Sequence, residues 1–282
     1  MLSPVTSNTS QSLKNPQPLT AVPTEALKRI QWLLTDVDDT LTWQGTLPAQ
    51  TLEALTQLKE VGVHVIAVTG ACAGWCDQIA KLWPVHSVIG ENGAFFMQKD
   101  FNGFHTQSVL PIATMKHQQT LLMEALSELL RDYPDTDFAS DQAFRYCDVA
   151  INIGQDRSAV DRDTCQELLA RIQQLSIAGH KVKATQSSIH INVWIGEHSK
   201  QATSELLLRQ QLSQKSLPLE HITYIGDSLN DESMFSWLPM TFGVSNITRW
   251  LPQLSTKPSY ITDSSGGYGF SELAASIIQA KQ

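Results

Sequence analysis

Residues 33–42 read LLTDVDDTLT, an apolar run that ends in three aspartates within four positions. If the run is a strand, Asp36 and Asp38 project from the same face, where like charges repel. A solvated acidic turn would tolerate that arrangement. A metal site or a carboxylate nucleophile would require it. The stretch is compatible with both, and the surrounding chain has to choose between them.

Working outward, short apolar runs alternate with amphipathic stretches. IQWLLTDV (30–37), VHVIAVTG (63–70), HSVIGENG (86–93), HITYIGDS (221–228) and MTFGVS (240–245) read as strands. The first four carry polar residues at their carboxyl ends. Between the first two, PAQTLEALTQLKEVG (48–62) places Leu52, Leu55 and Leu58 at helical spacing, with Gly62 as a C-cap. This predicts a strand–helix–strand unit with buried parallel strands. NDESMFSWL (230–238) and FSELAASIIQA (270–280) predict two further helices, the last turning Phe270, Leu273, Ile277 and Ile278 inward. From about 104 to 195 the pattern changes. QQTLLMEALSELLRDY (118–133) and RDTCQELLARIQQLS (162–176) read as helices, followed by the β-like runs FRYCDVAINIG (144–154) and KVKATQSSIHINVWIG (181–196). The expectation is an α/β core formed by 24–103 and 196–282, interrupted by an α+β insert at 104–195 with an antiparallel sheet.

The chain has 282 residues, 42% of them apolar and 17% charged, and a formal net charge of −8. That length supports one large core or two smaller ones. The acidic balance argues against a nucleic-acid or anionic-membrane partner, which would need a basic face. It leaves room for a small phosphorylated molecule, held by local donors and a cation. Residues 1–23 are rich in Ser, Thr, Pro, Asn and Gln, hold one charged residue (Lys14), and are expected to be a disordered tail. They fit neither a signal peptide nor a transit peptide, no apolar run reaches the length of a membrane span, and a cytoplasmic location is the expectation. Cys72 and Cys76 form a C-x3-C pair whose partners, Cys147 and Cys165, are distant, so the four are expected to be buried or idle thiols, not a zinc site. His180, His198 and His221 have no metal-ligand spacing.

In an open parallel sheet, ligands bind beyond the carboxyl ends of the strands. Those ends here carry Asp36 and Asp38, Thr69 and Gly70, Glu91 and Asn92, then Asp227, Asn230 and Asp231. Each alone suits a turn. Their recurrence at the same end of successive strands points to one crevice. Asp36 and Asp227 offer hard oxygens suited to Mg²⁺. A carboxylate there could attack phosphorus, and a second carboxyl two residues on could move the proton. Thr69 and the following backbone N–H groups could hold phosphate oxygens. Lys200, at the start of a predicted helix, is the cation that would offset the transferred charge.

These four segments together resemble the haloacid dehalogenase (HAD) superfamily. DVDDT (36–40) resembles its first motif, VTG (68–70) its second, Lys200 its third, and GDSLND (226–231) its fourth, in order over most of the chain. ENGA (91–94) and the run into HSK (198–200) are similar to the Cof-type, class IIB branch, whose C2B-type α+β cap lies between motifs two and three. The resemblance implies a Rossmann-like core, Mg²⁺ dependence and hydrolysis of phosphate monoesters. It implies Asp36 as nucleophile, Asp38 as general acid/base with its backbone carbonyl toward the metal, and Asp227 as metal ligand. It also implies Thr69, Gly70, Lys200 and Asn230 as phosphate-binding positions and Asp231 as a supporting acid. Asp39 falls at a variable position and reads as turn chemistry. Dehalogenases of the family lack an acid equivalent to Asp38, so a phosphoryl substrate is favoured.

Motif two departs from the pattern. Ala71 stands where many Cof-like proteins have arginine, which puts a standard sugar-phosphate specificity in question. Trp75 could offer a stacking surface nearby, although a buried indole is the favoured reading. Arg145, His190 and Asn192 lie in β-like regions of the insert, and strand alternation leaves their orientation open. The reading is a Mg²⁺-dependent phosphatase of a small phosphorylated metabolite. A phosphomutase of the same branch and a non-catalytic phospho-ligand sensor are the alternatives.

Overall fold

A computed structural model describes residues 15–155 and 157–282. In chain order the first half contains β1 (Gln17–Pro18), α1 (Thr24–Arg29), β2 (Trp32–Thr35), α2 (Ala49–Glu60), β3 (His64–Val68), α3 (Ala73–Leu82), β4 (Ser87–Gly90), β5 (Phe95–Asp100) and β6 (Gly103–Ser108). The middle holds α4 (Ile112–Leu129), β7 (Asp137–Phe138), β8 (Val149–Asn152), α5 (Arg162–Gln173), β9 (Ser176–Ile177), β10 (His180–Gln186) and β11 (His190–Ile195). The chain closes with α6 (Lys200–Leu212), β12 (Ile222–Gly226), α7 (Glu232–Trp237), β13 (Thr241–Gly243), β14 (Tyr260–Ile261) and α8 (Gly266–Lys281).

The large sheet has the order β1-β14-β13-β12-β2-β3-β4-β5-β6, parallel up to β4 and antiparallel through the β4–β5–β6 edge. Residues of the central strands divide by parity. Leu33, Val65, Ala67 and Val88 pack with Leu55 and Leu58 of α2 and with Phe270, Leu273 and Ile277 of α8. Trp32, Leu34, Ile66, Val68 and Ile89 pack on the other side with Leu207 and Leu208 of α6 and with Met234 and Phe235 of α7. Both faces of the sheet are therefore covered, which is why these strands read as continuous apolar runs and not as alternating ones. Each buried leucine or isoleucine contributes about 1.5–3 kcal/mol. The fold is α/β with a parallel core sheet, as the alternating pattern predicts.

The second sheet, β7-β8-β11-β10-β9, is antiparallel throughout. One face packs Val149, Ile151, Ile191 and Val193 against Leu122 and Leu126 of α4 and Leu168 and Ile172 of α5. The intervening residues of β11, His190, Asn192 and Trp194, belong to the opposite face, which turns toward the large sheet.

Three boundary expectations are corrected. Residues 104–108 belong to β6 and the large sheet, so the break placed at 104 cuts a strand. The expected tail runs too far: β1 pairs in parallel with β14, and Val22 is buried, while residues 1–14 lie outside the described residues. FRYCDVAINIG is a strand only from Val149, because the backbone N–H groups of Tyr146, Cys147 and Asp148 go to a carboxylate of the large-sheet layer instead of a ladder. Helix α3 was not anticipated from the pattern. Among the described residues no helix is long and apolar enough to cross a membrane.

Candidate active site

Strand β2 lies between β12 and β3, with Leu33 opposite both Thr223 and Val65. The carboxyl ends of β2, β3, β4 and β12 therefore open on one side. Asp36 continues β2 by one residue, its N–H donating to the Ile225 carbonyl at 2.9 Å. The chain then turns tightly, the Val37 carbonyl accepting from the N–H groups of Thr40, Leu41 and Thr42. Asp39 sits in the left-handed region (φ 55°), and its carboxylate accepts from the N–H of Gln44 at 3.2 Å. The turn separates the three aspartates: Asp36 is buried, Asp38 stands half-buried at the crevice mouth, and Asp39 serves the turn.

Lys200 Nζ donates to Asp36 Oδ1 at 2.7 Å and to Asp231 Oδ1 at 2.8 Å, all three side chains being buried. Ser199 caps the helix that presents the lysine by accepting from the N–H of Ala202. Asp231 Oδ2 folds back onto the N–H groups of Asp227 and Ser228, at 2.9 and 3.1 Å, and Oδ1 also accepts from the Tyr224 hydroxyl. This requires the glycine of GDSLND: a Cβ on Gly226 would lie 2.4 Å from Asp231 Oδ2. Asp227 Oδ2 accepts from Asn246 Nδ2 at 3.0 Å, the same amide donating to the Asp39 carbonyl at 3.1 Å. Arg249 Nη2, half-exposed, approaches Asp227 Oδ2 at 3.7 Å.

Asp36, Asp227 and Asp231 can each bring a carboxylate oxygen within 4.8 Å of the others. Three buried carboxylates thus face one ammonium. Burial raises Asp36 to about 8 despite the nearby Lys200, with Asp231 and Asp38 adding repulsion. Burial, then Asp36 and Asp231, push Asp227 well above the carboxylate range. Burial alone would lower Lys200, but Asp231 and Asp36 outweigh it and hold it above its ordinary value, so the ammonium stays charged. Desolvation and the neighbouring Asp39 raise Asp38 to about 6, a value at which a carboxyl can both give and take a proton near neutrality. The donor set, hard oxygens with surplus negative charge, suits Mg²⁺.

Thr69 Oγ1 accepts from the Ala71 N–H at 2.9 Å, fixing the turn after β3. Asn230 Oδ1 accepts from Ser228 Oγ at 2.9 Å and borders a recess with Lys200 and Asn92. After β4, Glu91, Asn92 and Gly93 adopt successive positive φ values of 45°, 54° and 108°. The turn brings Gly93 against the α6 start, where its carbonyl accepts from Thr203 Oγ1 at 2.6 Å. A Cβ at Gly93 would fall 2.2 Å from the Ser199 carbonyl oxygen, next to Lys200. Gly93→Ala is therefore expected to destabilise the protein by about 2 kcal/mol or more, since both φ and space are violated. Urea denaturation measures it, and a change below about 0.5 kcal/mol, the range of ordinary surface substitutions, would refute the packing argument.

The insert is tied to the large sheet at motif two. Glu91 Oε1 accepts from the N–H groups of Ala73 (3.1 Å) and Tyr146 (2.7 Å), and Oε2 from those of Cys147 (2.6 Å) and Asp148 (3.1 Å). Arg145, fully buried, donates from Nη1 to the Gly70 carbonyl and to Asp148 Oδ1, both at 2.9 Å, and from Nε and Nη2 to the two Asp141 oxygens at 3.2 Å. Asn192 Nδ2 donates to Asp148 Oδ2 at 2.8 Å and reaches the Gly70 carbonyl at 3.4 Å. Burial, then Asp148, raise Glu91 to about 7. A guanidinium thus does reach motif two beside Ala71, but it comes from the insert and is spent on structure.

Between the layers lies a cavity of about 270 Å³ bordered by Asp38, Ala71, Trp75, Asp141, Arg145 and His190, among others. Trp75 is 52% exposed and not a buried indole, which corrects the favoured reading from sequence. All four cysteines are free and buried.

The structure thus gathers Asp36, Lys200, Asp227 and Asp231 within hydrogen-bonding or near-ligand distance. Asp38 lies near Asp36 and Asn230 shares a recess with Lys200, while Thr69 and Gly70 form the turn after β3. The side chain of Asp38 stands outside the carboxylate triplet, and Asp231 completes it. Glu91, grouped with the crevice by its strand-end position, turns away to hold the insert. Asn246 and Tyr224 were missed. Asn246 follows the carboxyl end of β13, so the strand-end rule could have found it. Tyr224 sits inside an apolar run and carries no such signal.

A family model described as haloacid dehalogenase-like hydrolase matches residues 33–130. No curated protein matches the chain by sequence. Among solved structures, the chain is similar to Thermoplasma acidophilum 0175, with TM-score 0.64, 17% identity, and coverage of 88% of this chain and 98% of that one. It is similar to a haloacid dehalogenase-like hydrolase from Bacteroides thetaiotaomicron, with TM-score 0.59, 15% identity and coverage of 88% and 99%. It is also similar to the sucrose-phosphatase of Synechocystis in complex with sucrose and phosphate, with TM-score 0.56, 16% identity and coverage of 88% and 98%. Residues 33–130 thus match the haloacid dehalogenase-like hydrolase family model, and the described chain shares its fold with solved structures that include a haloacid dehalogenase-like hydrolase.

Proposed function

We propose that the protein is a Mg²⁺-dependent phosphatase that hydrolyses a small phosphorylated metabolite through an aspartyl-phosphate intermediate. The observation that carries this reading is the buried cluster of Asp36, Asp227 and Asp231 around Lys200, with Asp38 at the mouth of the adjoining cavity. The similarity to a sucrose-phosphatase agrees with it. Asp36 and Asp227, with the backbone carbonyl of Asp38, would hold the metal, which when bound supplies positive charge against the carboxylates and the phosphoryl oxygens.

The chain's own groups do the rest. A carboxylate oxygen of Asp36 attacks phosphorus as the bond to the leaving oxygen breaks, and Asp38 gives that oxygen its proton. The Asp38 carboxylate then takes a proton from water as the water oxygen attacks the phosphoryl group, releasing phosphate and restoring Asp36. Lys200 keeps Asp36 oriented and offsets charge on the transferred group. Thr69, the Gly70 N–H and Asn230 hold the phosphoryl oxygens. The insert covers the crevice and excludes water.

Phosphate release from a panel of monoesters tests the reading. Chelation with EDTA is expected to reduce release to background and Mg²⁺ to restore it. Full activity after chelation would refute the metal requirement.

A further inference from the structure

The cavity beside Asp38 has a composition that limits what the leaving group can be. Helix α3 presents Trp75, Gln78, Ile79 and then Trp83 at its C-cap, a three-and-four spacing that puts them on one helix face, and all four line the cavity. Trp75 is half-exposed in a chain where most large apolar side chains are buried, so its ring is available to whatever enters. Of the described residues lining the cavity, Arg145 is the only lysine or arginine. Its guanidinium is committed to Asp141, Asp148 and the Gly70 carbonyl, and it is fully buried. The lining also includes two carboxylates, Asp38 and Asp141. Among the described residues, the cavity therefore offers a flat apolar wall and no uncommitted lysine or arginine. An engineered cavity of about 150 Å³ accommodates benzene, so the roughly 270 Å³ here exceeds what a single ring needs.

We propose that the substrate is the phosphate monoester of an uncharged aromatic or heteroaromatic alcohol, whose ring lies on the indole of Trp75 while its ester oxygen faces Asp38. Stacking and edge contacts on the two tryptophans supply the selectivity. A second anionic group on the leaving alcohol would meet the Asp38 carboxyl, while the one arginine of the lining is already paired with Asp141 and Asp148. Ala71 contributes by leaving open the space that an arginine side chain would fill. This inference rests on the phosphatase reading and is tested so that the two can fail separately.

The test compares benzyl phosphate, glycerol 1-phosphate and phosphoglycolate, three monoesters whose ester oxygen is borne by an sp³ carbon, by phosphate release with Mg²⁺. The expected kcat/KM for benzyl phosphate exceeds that for glycerol phosphate by about tenfold and that for phosphoglycolate by about a hundredfold. In Trp75→Ala and Trp75→Gln the benzyl-to-glycerol ratio is expected to fall about tenfold, chiefly through KM for benzyl phosphate. Because Trp75 is half-exposed, both variants should fold. Glycerol phosphate or phosphoglycolate turned over as well as benzyl phosphate, or a ratio unmoved by both substitutions, would overturn the inference and leave the phosphatase standing. Absence of phosphate release from all three, with Mg²⁺ present, would overturn both.

Discussion

Asp36→Asn is expected to remove turnover of every phosphate monoester, by roughly 10⁴-fold or more, while the fold survives. The amide has nearly the shape of the carboxylate but is a far weaker nucleophile, so no acyl-phosphate forms. Lys200 retains its partner Asp231 at 2.8 Å, so the ammonium is not stranded. The thermal midpoint should hold or rise, because the substitution removes one of three buried carboxylates that repel one another. Steady-state phosphate release and a thermal melt on the same sample make the check. Retention of more than about a tenth of wild-type activity would exclude Asp36 as the nucleophile.

Arg145→Met is expected to cost about 3–5 kcal/mol of stability, the range for removing one member of a buried ion pair. Its guanidinium is the counter-charge for Asp148 and Asp141, and Glu91 lies in the same buried cluster. Methionine fills much of the volume but leaves those carboxylates unpaired. Lysine should not rescue, because Arg145 uses three nitrogens at once on partners in different directions.

The loss should also depend on pH. Burial holds Glu91 near 7 in the folded protein against an ordinary value of 4.5, and raises Asp148 as well. A carboxyl whose folded pKa lies above its unfolded one binds its proton more tightly when folded. Its stabilising contribution is complete below about 4.5 and is lost as pH rises through about 7. Removing the arginine raises these carboxyls further, so the penalty should be largest near pH 8 and shrink toward pH 5.5. Denaturation followed by tryptophan fluorescence at both pH values measures it. A cost under about 1 kcal/mol near pH 8, typical of an exposed pair, would show that the cluster does not hold the insert.

The catalytic candidates were legible because their signals are local. DVDDT and GDSLND each follow an apolar strand directly, and a parallel sheet can only bring such strand ends to one side. Lys200 was legible as the first residue of a helix entering the same layer. Trp75 and Arg145 were not. Trp75 is an apolar residue on an amphipathic helix, and whether its face meets core or cavity depends on where the insert stops. Arg145 lies in a stretch that reads as strand, and its irregular backbone follows from Glu91, 54 positions earlier in the chain, capturing the N–H groups beside it.

What the sequence by itself determined is the alternating strand and helix order apart from α3, the inserted α+β segment and the acidic strand ends, since each is written in periodicity and in residues adjacent along the chain. Only the tertiary structure decided how the three aspartates of LLTDVDDTLT divide their work. The tight turn at Val37 buries Asp36 against Lys200, leaves Asp38 facing the cavity, and gives Asp39 to the turn itself. The same holds for the wall beside Asp38. Its tryptophans, its Asp38 carboxyl and its committed arginine come from segments far apart in the chain, and their shared chemistry exists only where the two sheets meet.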